Sequence, residues 1–363
     1  RRGQVWVQIV PIALLSGPMT HHAGGGEVLQ DEEAIIRLLA PLAQTPGAFA
    51  LEDDCAVLQP KAGTELVLKT DPIAEGVHFL PDALPADVGW KALAVNLSDL
   101  AAKGATPCAY LLALSFPAAP RRSWVVGFAA GLAEAQERFG CHLLGGDTDR
   151  RGGPLTVSIT VIGTVPPGQM VRRGTARAGD GLFVSGTLGD AALGLMVAKD
   201  PARAAAWDLS PAMLAHLASR YRRPQPRLAL AGLLRAHASA AMDLSDGLAK
   251  DLGRMCKVSG CGARARQADL PLSAAAAKAV AAEPRQYQAV LAGGDDYEIL
   301  ASVPPPNEAA FRQAASAAGI AVTRIGSMTA HTEVTIEGLD GHPVALVQAG
   351  WDHFAGDAKA QSQ

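Results

Sequence analysis

The sequence predicts an α/β protein with two domains. The chain has 363 residues, which is more than a single hydrophobic core usually holds. Apolar runs typical of strands alternate with segments of helical periodicity, and Pro166-Pro167-Gly168 interrupts both kinds of element. We therefore expect this tripeptide to link a first domain to a second one.

The first half begins with an amphipathic helix that starts at Asp31 and buries Ile35. A second helix starts at Pro85 and reaches about Lys103, where Gly104 ends it. The other predicted elements of this half are strands at 66–69, 109–116 and 155–165 and a helix at 121–139.

The second half shows the same alternation, which indicates an α/β domain. Its predicted strands lie at 182–185 and near residues 240, 262, 299 and 322, and its predicted helices lie at 190–198, 211–220, 225–236, 248–258 and 308–318.

The composition argues against several classes of protein. The net charge is −3 and 49% of the residues are hydrophobic, so the chain has enough apolar residues for a sizeable core and no basic surface for nucleic acid. Its five cysteines are scattered and form no Cys-x-x-Cys pair, which argues against a disulfide framework and a structural zinc site. This pattern is typical of a reducing cytoplasm.

The amino-terminal residues are expected to lie outside the folded domains. The apolar run at 5–15 resembles a signal peptide, but Gln8 and Pro11 interrupt it and no small-residue cleavage site follows. We expect Met19 to be the true start and residues 1–28 to be disordered or an artificial extension. We find no other stretch in the sequence long and apolar enough to span a membrane.

Short aspartate-containing patches recur along the chain. Aspartate is short, and glycine lets a ligand approach the backbone closely, so patches that meet in space would form an oxygen-rich site for magnesium and phosphate. Any one patch alone is more typical of a turn or a helix cap. The six patches are Asp53-Asp54, Thr70-Asp71, Asn96-Leu97-Ser98-Asp99, Gly145-Gly146-Asp147, Asp243-Leu244-Ser245-Asp246-Gly247 and Gly293-Gly294-Asp295-Asp296-Tyr297.

Two of these patches have a geometry that suits a metal-bound phosphate. Asn96, Asp99 and Lys103 fall on one face of the second helix, although a solvated face with an Asp99–Lys103 pair explains the same spacing. Asp243 and Ser245 share one side of an extended segment that leads into the amino end of a helix, which favours anions. A plain helix cap is the alternative there.

Familiar phosphate-binding motifs are absent from the sequence. It has no Gly-x4-Gly-Lys-Ser/Thr loop, no protein-kinase catalytic loop and no Gly-x-Gly-x-x-Gly opening a helix. A kinase with this sequence would therefore hold its phosphates through magnesium. His78 could donate a hydrogen bond to a substrate phosphate, although an isolated histidine is more often structural.

Taken in order, the motifs resemble those of the thiamine-monophosphate kinase family, within the PurM-like ATP-binding superfamily. The resemblance runs from about residue 29 to residue 354, and the complete ordered set is specific. The motifs are Asp53-Asp54-Cys55-Ala56, Lys69-Thr70-Asp71, Glu75-Gly76-Val77-His78-Phe79-Leu80, the run from Gly89 to Asp99, Gly145-Gly146-Asp147, the run from Ser185 to Asp190, the run from Met242 to Leu248, the run from Gly293 to Glu298, and Gly350-Trp351-Asp352-His353-Phe354.

The resemblance implies ATP-dependent phosphorylation of thiamine phosphate to thiamine diphosphate, by direct transfer without a phosphoenzyme. It places ligands for several magnesium ions at Asp54, Thr70, Asp71, Asp99, Asp147, Asp243 and Asp246. It places nucleotide contacts at Gly146, Asp147, Arg173 and Ser245. It places substrate contacts at His78, Asp295 and Trp351, with the Trp351 ring stacked on the thiamine rings.

The resemblance also implies an architecture. An α+β N-terminal domain at 29–165 would bind ATP and magnesium, an α/β C-terminal domain would cover 168–354, and residues 355–363 would form a tail. Two copies would form a homodimer whose first-domain sheets pair into a shared β-barrel.

Three residues depart from the family pattern. Glu52 stands where a glycine usually precedes the first Asp-Asp pair. Lys69 stands where a serine or threonine often helps to bind metal, so we expect that ligand to be missing. Asp295 replaces the more usual glutamate and is one methylene shorter, which reduces its expected reach to the substrate.

Two alternatives stay open from the sequence. One is another enzyme of the superfamily, such as aminoimidazole ribonucleotide synthetase or the hydrogenase-maturation carbamoyl dehydratase. The latter needs a C-terminal cysteine, and no cysteine follows Cys261. The other is a catalytically silent nucleotide- or thiamine diphosphate-binding protein, which would be expected to lose the carboxylates that this chain retains.

Overall fold

The computed structural model describes residues 27–346 and 350. They form two β-sheets with their helices, one sheet from each half of the chain. The predicted start at Met19 and the predicted substrate residue Trp351 lie outside the described residues. Within the described part, none of the helices combines the length and the apolar character that crossing a bilayer requires.

The first half forms a four-stranded sheet with helices against it. Its elements are α1 (Glu32–Leu39), β1 (Glu65–Ala74), α2 (Pro85–Ala102), β2 (Thr106–Phe116), α3 (Arg122–Phe139), β3 (His142–Arg150) and β4 (Thr156–Val165). The strand order is β1-β4-β2-β3; β2 and β3 are parallel and the other neighbours are antiparallel. Helix α2 packs against α3, β1 and β4, which places it beside the edge strand β1.

The two faces of this sheet differ in exposure because side chains alternate along each strand. Val67 and Ile73 of β1 are buried in the core with α2. Leu68 points to the other face and is 63% exposed. Leu66 of β1 and Leu111 of β2 are also exposed on that face. The sheet therefore has one covered face and one open, partly apolar face.

The second half forms a six-stranded mixed sheet. Its elements are β5 (Gly181–Ser185), α4 (Asp190–Lys199), α5 (Ala202–Ala206), α6 (Pro211–Arg222), α7 (Ala231–His237), β6 (Ala240–Asp243), α8 (Leu248–Ser259), β7 (Gly262–Arg266), α9 (Ala274–Ala282), α10 (Tyr287–Ala292), β8 (Ile299–Val303), α11 (Glu308–Ala317), β9 (Val322–Thr329) and β10 (Val334–Glu337). The strand order is β10-β7-β9-β5-β8-β6, with β10 and β7 parallel and the other pairs antiparallel.

Helix α2 also fastens the first half to the second. The Trp90 indole Nε1 donates to the carbonyl of Pro224 at 2.9 Å, and the Lys103 Nζ donates to the carbonyl of Ala241 at 2.9 Å. The helix also packs against β6 and α7 of the second half, and nearly all of it is buried. Residues on α2 therefore keep fixed positions relative to both sheets.

Most predicted elements agree with the observed ones within three residues, but β1 continues to Ala74 beyond its predicted end at residue 69, and α7 begins at Ala231 instead of residue 225. Strand β3 was missed because Gly145 and Gly146 in its middle indicated a turn. A Cβ at Gly146 would lie 1.9 Å from the Leu112 carbonyl oxygen, so glycine is needed there for the close approach of β2 and β3. The short elements α5, α9, α10 and β10 were also missed.

A buried ion-pair network holds four segments of the second half together. Glu298 is fully buried and accepts hydrogen bonds from Arg220 at 2.8 Å, from the Arg227 Nε at 2.7 Å and from the Ser185 hydroxyl at 2.5 Å. Two arginines thus compensate one carboxylate in the interior. Such a network is costly to break, because a buried charge without its partner is strongly destabilising.

We expect Glu298→Gln to lower the free energy of unfolding by about 3 kcal/mol, because Arg220 and Arg227 lose their counter-charge. Urea denaturation measures this change. The matched control is Glu134→Gln, because the Glu134 side chain is 52% exposed in its pair with Arg223 and such pairs contribute about 0–1 kcal/mol. Equal losses in both variants would contradict the assignment of a buried network.

Candidate active site

A cleft of about 1140 Å³ is lined by residues from both halves of the chain. It collects segments that are far apart in the sequence, from β1, α2, β6, the start of α8 and the loop before β8. The predicted site residues that line it are Asp71, His78, Asp99, Arg173, Asp243, Ser245, Asp246 and Asp295.

Asp71 of β1 and Asp99 of α2 share one positive charge, the Lys69 ammonium. The Lys69 Nζ lies 3.0 Å from Asp71 Oδ1 and 2.9 Å from Asp99 Oδ2. Asn96 fixes this part of β1, because its Oδ1 accepts the Asp71 backbone N–H at 2.9 Å. Burial alone would lower the pKa of Lys69, but Asp99 and Asp71 outweigh it and raise the pKa above its usual range. The pair is therefore a stable, charged contact.

Asp243 lies where the ionised form of its carboxyl group is unfavourable. It ends β6 and is buried. Burial raises the pKa of its carboxyl group well above the usual range, and the nearby Asp99 raises it further. Burial also raises the pKa of Asp71, although Lys69 opposes that effect. A cation added to this part of the cleft would therefore be strongly favoured.

Ser245 and Asp246 lie just before α8. Their backbone N–H groups donate to Asp251 Oδ2 at 3.0 and 2.9 Å, so Asp251 satisfies two donors before the helix begins. The Asp246 carboxylate pairs with Arg254 at 2.6 Å. The capping role considered for Ser245 or Asp246 thus belongs to Asp251, which leaves the two motif side chains at the cleft.

Backbone hydrogen bonds join two of the sequence motifs directly. The Asp295 N–H donates to the Ser245 carbonyl at 2.9 Å, and the Tyr297 N–H donates to the Leu244 carbonyl at 2.8 Å. Gly294 has a φ of +74°, and a Cβ there would lie 2.7 Å from the Ser245 carbonyl oxygen. Glycine at this position allows both the left-handed backbone and the close approach.

Asp295 is tied to α2 through Lys91. The Lys91 Nζ lies 2.9 Å from Asp295 Oδ2 and donates to the His78 carbonyl at 2.9 Å. It also lies 4.2 Å from the centroid of the Tyr221 ring, a cation–π contact. The Lys91 side chain is buried. The carboxylate that the resemblance assigns to substrate binding therefore also joins the two halves of the chain.

His78 is held in one tautomer by the backbone. Its Nδ1 accepts the Ala74 N–H at 3.0 Å, so the neutral ring carries its proton on Nε2. His78 lines the cleft. The ring thus has a hydrogen-bond donor, as a contact to a phosphate oxygen requires.

Four predicted site residues do not line the cleft. Thr70 points to the opposite face of β1 from Asp71, and Asp147 lies on that same open face of the sheet. Asp54 is exposed in the segment before β1. Gly146 is required by strand packing, as described above. Metal or nucleotide roles for these four residues stay predictions, as does the role of Trp351.

Three basic residues that line the cleft were missed from the sequence, as was Lys91, which pairs with the cleft residue Asp295. The three are Arg172, Lys199 and Arg254. Scattered single lysines and arginines give no motif, so spacing alone could not identify them. Lys91 did carry a signal, since it stands inside the apolar run of a helix whose other residues are mostly buried, and a buried lysine needs a partner.

The donor set of the cleft fits magnesium, although the side chains alone form no closed metal site. Among residues 27–346 and 350, no group of three or more His, Cys, Asp or Glu side chains is placed to hold a metal ion. Carboxylate oxygens are the ligands that magnesium prefers, and substrate phosphates usually complete its coordination. Four carboxylates meet these requirements within one cleft: Asp71, Asp99, Asp243 and Asp246.

Comparison with known proteins identifies the family. The AIR synthase related protein N-terminal domain matches residues 52–165, and the AIR synthase related protein C-terminal domain matches residues 177–338. A thiamine-monophosphate kinase from Caulobacter vibrioides is 42% identical over 327 residues, which cover 88% of this chain and 89% of that protein. The chain belongs to the thiamine-monophosphate kinase family. The activity predicted from the motifs is confirmed.

Solved structures of thiamine-monophosphate kinases share this fold. The crystal structure from Stenotrophomonas maltophilia K279a has a TM-score of 0.76 and 38% identity, covering 89% of this chain and 100% of that chain. The structure of AaThiL complexed with AMPPCP and TMP has a TM-score of 0.70 and 31% identity, covering 89% of this chain and 97% of that chain. The predicted two-domain, PurM-like α/β fold is confirmed.

Removing the Asp243 charge is expected to stabilise the metal-free protein. Because the folded pKa is raised above the unfolded one, wild-type stability falls as the pH rises above the usual aspartate range, whereas Asp243→Asn has no such loss. In EDTA, between about pH 5 and about pH 8, the free energy of unfolding of the variant should exceed that of wild type by about 1 kcal/mol. This difference should increase with pH.

The control for this measurement is Asp82→Asn, because Asp82 is exposed and surface substitutions change stability little. A variant that is less stable than wild type at every pH would mean that the Asp243 carboxylate stabilises the metal-free fold, contrary to this account.

Proposed function

We propose that the chain transfers the γ-phosphate of ATP to thiamine monophosphate in the cleft between its two sheets. The observation that carries this proposal is the meeting of Asp99 from α2 and Asp243 from β6 in one cleft, beside the basic residue Arg173. The related AaThiL structure holds AMPPCP and TMP together, which supports a site for two phosphorylated molecules in this family.

Direct transfer needs no nucleophilic side chain. A terminal phosphate oxygen of thiamine monophosphate attacks the γ-phosphorus, the bond from that phosphorus to the bridging oxygen breaks, and ADP leaves. A phosphate monoester has a second pKa of about 6, so the attacking oxygen is already ionised at neutral pH and needs no general base. The protein's contribution is to position the two reactants and to stabilise charge.

The carboxylates would hold magnesium ions, which neutralise phosphate charge when bound. Asp71, Asp99, Asp243 and Asp246 are the ligands proposed within one chain. Burial and the nearby Asp99 disfavour the ionised form of Asp243. A divalent cation bound by Asp99 and Asp243 would therefore stabilise both carboxylates. The other predicted ligands, Asp54, Thr70 and Asp147, would have to reach the ions from outside the cleft.

The remaining side chains would orient the two substrates. Arg173 and Ser245 would contact the ATP phosphates, and the His78 Nε2–H would donate to the phosphate of thiamine monophosphate. Trp351 would stack on the thiamine rings, where cation–π attraction to the thiazolium contributes about 0.5 to 2 kcal/mol. Gly146 and Asp147 stay predicted nucleotide contacts.

A coupled assay of ADP release tests this function. With Mg²⁺ and ATP, we expect turnover with thiamine monophosphate and none with free thiamine or formylglycinamidine ribonucleotide. Asp99→Ala should lower turnover by about 10³-fold, equivalent to several kcal/mol of charge stabilisation, with an unchanged circular dichroism spectrum. The exposed Glu137→Ala on α3 is the control. Turnover with formylglycinamidine ribonucleotide alone would overturn the proposal.

We also propose a homodimer formed through the open face of the first sheet. Leu66, Leu68 and Leu111 expose apolar surface there, and such patches are typical of protein contacts. Thr70 and Asp147 lie on the same face. A second copy seated on this face would explain why these two predicted ligands do not line the cleft of their own chain.

Leu68→Glu is expected to convert the dimer to a monomer, because it places a charge in the proposed interface. Sedimentation velocity measures the assembly state. Leu339→Glu is the matched control, since Leu339 is 72% exposed and follows β10, the edge strand of the second sheet. A monomeric wild-type protein would rule out the proposed dimer.

Two further predictions complete the proposal. We place the protein in the cytoplasm on the basis of its five cysteines, which are all free thiols. We divide the chain into domains at 29–165 and 168–354, in line with the two sheets on either side of Pro166-Pro167-Gly168.

A further inference from the structure

We propose that the Lys69 ammonium is a built-in cation that fills the position between Asp71 and Asp99 where a divalent ion would otherwise bind. This inference rests on the proposed metal-assisted transfer and concerns how many ions the cleft takes. It replaces the expectation that Lys69 only removes a ligand: the side chain supplies a charge of its own. Each carboxylate has a second oxygen, so Asp71 and Asp99 would still be ligands for the remaining magnesium ions.

The geometry is that of a bridged pair. One Lys69 nitrogen contacts one oxygen of each carboxylate, at 3.0 Å for Asp71 and 2.9 Å for Asp99. The two oxygens are therefore less than about 6 Å apart, a distance at which unscreened like charges repel strongly. The carboxylates belong to different elements, β1 and α2, so a positive charge between them also holds strand to helix.

The position of Lys69 is fixed by the strand that carries it. Lys69 pairs with Val161 of β4 in the antiparallel register, and its side chain shares a face with Asp71 two residues later. About one third of the side chain is exposed. The ammonium is thus carried by a strand and held by two carboxylates, and it is part of the chain at every metal concentration.

Lys103 and Arg254, two other basic groups of the cleft, do not join a carboxylate of β1 to one of α2. The Lys103 Nζ donates to the Ala241 carbonyl, and burial lowers the pKa of Lys103. Arg254 pairs with Asp246 and Asp251, which are neighbours on the α8 segment, and is partly exposed. Asp243 has no part in the Lys69 bridge. One cation position is thus filled by the chain, while the position near Asp243 is left for metal.

A lysine ammonium and a magnesium ion differ in charge and in whether they exchange with solvent. Lys69 supplies one positive charge and three donors, whereas a divalent ion supplies two charges and exchanges with solvent. A protein with the built-in cation should therefore bind one divalent ion fewer. Replacing Lys69 with serine, which has a small hydroxyl side chain, should allow this additional ion to bind.

Manganese binding tests this inference without relying on turnover. Mn²⁺ is titrated into protein saturated with a non-hydrolysable ATP analogue, and the free ion is followed by electron paramagnetic resonance. Lys69→Ser is expected to bind one more Mn²⁺ per chain than wild type, and Lys69→Arg, which keeps the charge, the wild-type number. Lys199→Ser is the control, because Lys199 lines the cleft but lies outside the Lys69 bridge.

Thermal unfolding gives an independent readout. In EDTA, Lys69→Ser should melt below wild type because Asp71 and Asp99 face each other unbridged, and Mg²⁺ should close most of that gap. Lys69→Arg should melt like wild type in both buffers. If the serine variant does not fold, Lys69→Gln, which removes the charge but is closer to lysine in volume than serine is, is measured in the same way.

Equal Mn²⁺ numbers for wild type and Lys69→Ser, with a melting gap that Mg²⁺ does not reduce, would overturn the inference. That result would leave the proposed function intact if wild type still phosphorylates thiamine monophosphate. An extra ion in Lys69→Ser together with no kinase turnover in wild type would overturn the function and leave the built-in cation standing.

Discussion

The concentration of negative charge in a half-buried cleft is the constraint around which this protein is organised. Asp71, Asp99 and Asp243 come from three different elements, and burial together with the nearby Asp99 raises the pKa values of Asp71 and Asp243. Such a grouping is unfavourable unless cations offset it. Lys69 offsets two of the three carboxylates. The residual demand for positive charge at Asp243 is the physical basis of the proposed metal binding.

Helix α2 gives this arrangement its precision. Four polar side chains of this helix and its C-cap contact three neighbouring segments: Lys91 contacts the loop before β8, Asn96 and Asp99 contact β1, and Lys103 contacts β6. Most of the other residues of the helix are apolar and buried. Because the helix is buried, a shift that favoured one of these contacts would disturb the other three.

The sequence predicted the chemistry of the site better than its geometry. Any one acidic patch is more typical of a turn or a helix cap, but the ordered set resembles one family, and that resemblance identified Asp71, Asp99, Asp243 and Asp246. The opposite directions of Thr70 and Asp71 were missed because the predicted strand ended at residue 69, whereas β1 continues to Ala74 and adjacent side chains in a strand point to opposite faces. The sequence also indicated Lys69 only as a missing ligand, because the position of a long flexible side chain follows from tertiary contacts and not from spacing.

Two contacts of α2 with the second half of the chain affect how ligands reach the cleft and leave it. Trp90 is bonded to Pro224, and Lys91 is paired with Asp295 in the interior, so moving the two halves of the chain apart would break both contacts. We expect the two halves to stay in contact through the catalytic cycle. Nucleotide and vitamin precursor would then enter, and both products would leave, through the cleft itself, whose lining includes the exposed residues Gly76 and Val77.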